Sequence, residues 1–149
     1  MTFGEVLDPF ALPVAVAAAA LSALWLIWHV ARQYAAAPKR VPMRIRVDGR
    51  PGRLASKAVL WLAPVAIAAV IVAFGLLLVT APPRPEQRTL VALAMLALAE
   101  AAWFAGWSAD RQIEMARKMT YRVAPSRLLR AMLPILVTVV AAVAVAAHP

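Results

Sequence analysis

PKRVPMRIRVDGRPGRLASK, residues 38–57, is a polar, strongly basic run between two long apolar ones, and it decides how the rest of the chain is read. Val41, Met43, Ile45 and Val47 alternate with Pro42, Arg44, Arg46 and Asp48, the period of two that puts alternate side chains on opposite faces of a strand. The pattern predicts a short strand with the aliphatic set on one face and Arg44 and Arg46 on the other. Asp48-Gly49 and Pro51-Gly52 supply turn residues, so the chain is expected to reverse, return through Arg53 and Leu54, and enter a helix capped by Ser56.

Outward from this insert the sequence is apolar. A chain of 149 residues that is 64% hydrophobic carries more apolar side chain than one soluble domain of its size can bury. Four segments, 10–31, 58–80, 89–108 and 128–147, are each about the 20 residues needed to cross a hydrocarbon core. The expected fold is an all-α integral membrane protein, a single membrane domain of four transmembrane helices. The basic loop 32–57 is β-hairpin-like, and a helical stalk and loop occupy 109–127. Asp8 and Pro9 are read as the cap and first turn of the first helix, and Glu86 as an anion in the first turn of the third. Pro64 and Pro134 each fall in the first third of a span, and Glu114 is set to pair with Lys118 at i, i+4 along the stalk.

The net charge of +9 does not point to nucleic acid, because the basic residues cluster in the connections between apolar helices. The first connection holds eight Lys and Arg, the second two and the third six. By the positive-inside rule the first and third lie on the cytoplasmic side of an inner membrane, with both termini outside. Trp25, Trp28, Trp61, Trp103 and Trp107 all fall near the cytoplasmic ends, where an interfacial belt is expected.

A faint internal repeat runs through the chain. Trp28-x-x-x-Arg32-Gln33 recurs as Trp107-x-x-x-Arg111-Gln112, and Ser56-Lys57 with Pro64 recurs as Ser126-Arg127 with Pro134. Two duplicated helical hairpins account for it, and so does coincidence in an Ala/Val/Leu background.

Residues 38–57 also resemble the signature of a bacterial membrane family of unknown function that includes the sporulation-delaying-protein immunity proteins. That signature reads Pro-x-x-Val-Pro-x-His, a Gly five residues after the His, and Ser/Asn-Lys leading into a transmembrane helix. Pro38, Val41, Pro42, Gly49, Ser56 and Lys57 fall in register, while Arg44 stands in place of the signature His. The resemblance implies action by interaction, as in immunity to a membrane-active toxin or membrane-linked signalling.

Two groups of residues are candidates for function. Arg44, Arg46, Asp48, Gly49, Arg50 and Arg53 form a candidate interaction surface for anionic headgroups or a protein partner, a homo-oligomer included. Glu100 is the one charged residue deep inside a span, and acidic residues there cost about 2.5–3.5 kcal/mol on insertion scales. Trp103, Phe104 and Trp107 share its helical face. Glu100 therefore reads as a protonated acid hydrogen-bonded to an adjacent helix, as a site for a cationic group against aromatic faces, or as the working acid of a small transporter or proton-coupled carrier subunit. An accessory subunit of a larger membrane complex is a further reading.

His29 lies near the inner boundary and His148 at the other side, so they do not share a site. Asp110 and Glu114 lack the further ligands of a metal site. Cysteine, Gly-rich phosphate loops, nucleophile elbows and zinc spacings are absent, so no enzyme, cofactor or metal centre is expected. Ala97, Ala101, Ala105 and Ala109 are read as a helix-packing seam.

Overall fold

The computed structural model describes residues 3–118 and 122–147, without the side chains of residues 3–9 and of Glu86. It is 78% helical. The order is α1 (Phe3–Tyr34), β1 (Arg40–Pro42), β2 (Leu54–Ser56), a 3-10 helix (Lys57–Trp61), α2 (Leu62–Thr80), α3 (Pro85–Arg117) and α4 (Pro125–Ala147). Four of these helical segments are long and apolar enough to cross a membrane.

α3 is the central element: α1, α2, α4 and β1 all pack against it. Its buried face runs Ala92, Met95, Ala99, Ala102, Gly106, Ala109 and Ile113, an alternation of three and four residues that keeps one stripe against α1. α1 answers with Ala15, Ala19, Ser22, Leu26 and Val30, and the small side chains let the two backbones approach closely. The expected Ala97-Ala101-Ala105-Ala109 row meets this stripe at Ala109, its one buried member, and otherwise lies beside it. Ala101, Ala105 and Ala109 border α2, lining a gap with Leu60, Ala63 and Ile67.

Several boundaries differ from the sequence reading, each for a local reason. α1 is already helical at Phe3, so Asp8 and Pro9 lie within the helix and do not begin it; the Asp8 side chain is outside the described residues. Ser56 caps the 3-10 helix, its Oγ accepting from the Ala58 N–H at 3.4 Å, and the α-helix proper begins only at Leu62. Pro64 therefore sits in the first turn of α2, where a missing N–H breaks no helix hydrogen bond and no kink is needed. Pro134, by contrast, is interior to α4.

α3 needs no break between span and stalk: its 33 residues extend, at about 1.5 Å each, well beyond the roughly 30 Å of a hydrocarbon core. It ends at Arg117, and the stalk's expected continuation to Tyr121 falls outside the described residues. Glu114 pairs with Arg111 at i, i+3 in place of Lys118. Lys118 is the C-cap and has left helical geometry (φ −122°, ψ 92°), so its side chain departs from the Glu114 face. At the other end Arg84 precedes the helix, its N–H bonded to Gln87 Oε1 at 3.2 Å; the Glu86 side chain is outside the described residues.

Candidate functional site

The insert forms an antiparallel hairpin, with Arg40, Val41 and Pro42 opposite Ser56, Ala55 and Leu54. Regular pairing stops at Pro42, but backbone bonds continue the reversal: Met43 N–H to Arg53 O (2.8 Å), Gly52 N–H to Arg44 O (2.9 Å) and Arg46 N–H to Arg50 O (2.9 Å). The twofold alternation does not survive as two faces. Val41 is fully buried, whereas Met43 is 53% and Val47 88% exposed: β1 packs on α3 at Val41, and Val47 stands beside the turn at the hairpin tip.

Gly49 closes the tip at φ 75°, a left-handed conformation costly for residues with a Cβ. The Asp48 carboxylate accepts the Arg50 N–H at 3.1 Å. Gly49 O in turn accepts the Val123 N–H at 3.0 Å, so the hairpin tip is tied to the segment between α3 and α4. A Cβ at Gly49 would lie 1.8 Å from Val123 O. Two further bonds seat the insert: Gln112 Nε2 donates to Met43 O and Arg117 to Ala36 O, both at 3.1 Å. The two most basic connections therefore share one end of the bundle and one hydrogen-bonded unit.

The candidate arginines are set on this unit unequally. Arg46 and Arg50 share Asp48, at 3.8 and 3.7 Å. The guanidinium groups of Arg44 and Arg53 have no hydrogen-bond or ion-pair partner among the described residues, and with Met43, Arg46, Pro51 and Gly52 these arginines line a cleft of about 540 Å³. The residues in register with the family signature serve the hairpin itself. Val41 and Pro42 are buried, Gly49 makes the docked turn, Ser56 caps, and Lys57 donates to Tyr34 O (3.1 Å) with its ammonium 4.4 Å from the Tyr34 ring centre. Arg44, the departure from that signature, is at the open cleft.

Above the hairpin, α1 and α3 exchange polar contacts that the sequence did not announce. His29 Nε2 lies 2.8 Å from Asp110 Oδ1 and 2.9 Å from Gln33 Nε2, and Gln33 Nε2 donates to the same Asp110 oxygen at 2.6 Å. Trp25 stacks with His29 (4.8 Å) and with Trp103 (4.1 Å). Gly106 makes room for it, since a Cβ there would meet two ring carbons of Trp25 at 2.7 Å. His29 is thus engaged by Asp110 and does not approach Glu100; His148 lies outside the described residues. No group of three or more His, Asp or Glu able to hold a metal occurs among the described residues. A signal was present: His29 and Gln33 stand one turn apart on α1, as do Trp103, Gly106 and Asp110 on one side of α3.

Glu100 faces α4. Its Oε1 accepts the Thr138 hydroxyl at 3.0 Å, while Oε2 is buried with no hydrogen-bond partner. Trp103, Phe104 and Trp107, with Ala131 and Pro134 of α4, complete a lateral cavity of about 380 Å³ beside it. The repeated Trp-Arg pairs are used alike: Arg32 lies 5.4 Å from the Trp28 ring centre and Arg111 5.9 Å from that of Trp107.

Neither family models, nor curated proteins, nor solved structures gave a match to this chain.

Proposed function

We propose that this chain is a four-span membrane protein that acts by binding, and that its hairpin cap engages the phosphates of anionic lipid headgroups. The apolar helices support the first part: the most apolar stretch of α2 is only 6% buried within the bundle, and Val65, Leu76 and Val79 are exposed. Water would not tolerate that much apolar surface on a lone chain, whereas lipid tails would. The positive-inside count supports a cap on the cytoplasmic side, against the inner leaflet.

The observation that carries the binding reading is the cleft lined by Arg44 and Arg53, whose guanidinium groups have no partner among the described residues. Guanidinium groups match phosphate oxygens two at a time, and each basic group close to an anionic leaflet contributes about 1 kcal/mol. The resemblance at residues 38–57 adds an immunity-like or signalling role, for which a cap held at the membrane surface is a suitable platform. The like Trp-Arg pairs favour two duplicated hairpins, which homologous sequences aligned half against half would reveal.

Native mass spectrometry of the purified protein tests the headgroup reading. The wild type should retain anionic phospholipid through mild detergent, Arg44→Gln with Arg53→Gln should lose most of it, and the corresponding lysine pair should be intermediate. Equal retention by all three would overturn headgroup binding, and retention of an acidic protein in place of lipid would reassign the cleft to a protein partner.

A further inference from the structure

We infer that the cavity between α3 and α4 is a binding site for an amine carried on an apolar tail, entering from the side of the bundle. This rests on the chain spanning a membrane and is independent of what the hairpin cap binds. Glu100 Oε1 is supplied with a donor by Thr138, but Oε2 is buried and has none. As a carboxylate, that oxygen lacks a donor; as a carboxylic acid, Glu100 can give its proton from Oε1 to the Thr138 hydroxyl, and Oε2 is then a carbonyl oxygen still without a donor among the described residues. Either state is costly in an apolar setting. An alkylammonium resolves both problems, because its N–H donates to Oε2 while its charge offsets that of the carboxylate.

The walls select the same chemistry. Trp103, Phe104 and Trp107 present aromatic surface beside the carboxyl, which attracts a cation through the ring quadrupole and accommodates the methylenes next to it. The volume of about 380 Å³ lies in the range of small-ligand sites, and the lining is apolar apart from the Glu100 carboxyl, which suits an amine on an apolar tail. Trp103 is 55% exposed, so the cavity is bordered by a surface that a membrane-dissolved ligand can reach without crossing the bundle. The arrangement needs no water path and no second acid, and it is a site of binding, with turnover no part of it.

The test uses the full chain in nanodiscs of zwitterionic lipid, which leave the basic cap without an anionic partner. The probe is a primary alkylamine brominated along its tail, with the brominated alcohol of equal length as control; bromine quenches nearby tryptophan fluorescence. The amine should quench saturably at a concentration at least tenfold below that of the alcohol. Glu100→Gln should abolish that advantage. Ala131→Leu, which narrows the cavity while leaving Glu100 and Thr138 in place, should weaken the amine several-fold and so guards against misfolding of the first variant. Quenching that is unchanged in Glu100→Gln, or equal for amine and alcohol, would overturn the inference. So would an Ala131→Cys variant that forms a disulfide dimer on mild oxidation to the same extent with and without the amine, because the face of the cavity would then be occupied by a second copy. Failure of the chain to enter nanodiscs overturns the spanning reading along with this one; entry without Glu100-dependent quenching overturns this one alone.

Discussion

The last turns of α3 and its middle are held in opposite ways. Where its last turns meet the hairpin, bonds from Gln112, Arg117 and Val123 reach backbone carbonyls far away in sequence, and the Asp110 carboxylate ties in α1. Midway along, where α3 meets α4, the packing is apolar and one side-chain hydrogen bond, Thr138 to Glu100, crosses between the two helices among the described residues. Near water a polar tie exchanges one set of hydrogen bonds for another and yields about 1 kcal/mol, so many are needed to hold a loop. Within an apolar setting one tie matters more, because losing it strands a polar group. The basic end is therefore built for fixed shape, and the α3–α4 contact for a single replaceable bond.

Gly49→Ala should break that contrast most severely. It combines a left-handed backbone, costing about 1–2 kcal/mol for a residue with a Cβ, with overlap on Val123 O. Hydrogen exchange at the Val123 amide should rise by more than tenfold while the α1–α3 seam stays protected. Gly106→Ala comes next. Its methyl would drive into the Trp25 ring, at a cost of about 1–3 kcal/mol, and the tryptophan emission of the Trp25–Trp103 stack should shift.

Thr138→Val should cost about 1–2 kcal/mol by leaving Glu100 with no donor at either oxygen, and Thr138→Val with Glu100→Leu should recover most of it. Thermal unfolding in one detergent measures both. If the double variant is no better than the single, the hydrogen bond is not what the α3–α4 contact depends on. Asp110→Asn should have the smallest effect, under about 1 kcal/mol. Asp110 is partly exposed, and the amide oxygen still accepts from Gln33 or His29.

The contrast also explains what the sequence disclosed. Four apolar segments, the turn at Asp48-Gly49 and the face joining Glu100 to Trp103 and Trp107 follow from composition and local spacing, and they were legible. What was missed depended on which helix faced which. The α1–α3 seam lies on Ala99, Ala102 and Gly106, next to the alanine row that looked most regular, because α2 claims that row. In a chain this rich in alanine several stripes have equal credentials, and only tertiary packing selects one. The alternation puts Val41, Met43 and Val47 on one face, yet of the three only Val41 is buried, because β1 packs on α3 there while Val47 stands beside the turn at the tip. His29 and Asp110, 81 residues apart, share a depth that no local pattern records.

The central claim is that the hairpin and the segment after α3 form one basic cap on the cytoplasmic side of four spans. The chain contains no cysteine, so single cysteines report position without background. Val47, 88% exposed at the cap, and Pro82, exposed in the connection between α2 and α3, are the positions to use, because a side chain at Gly49 would collide with Val123. With a membrane-impermeant maleimide on intact cells, Pro82→Cys should label and Val47→Cys should label only after the membrane is permeabilised. Labelling of Val47→Cys in intact cells, with Pro82→Cys protected until permeabilisation, would contradict the account.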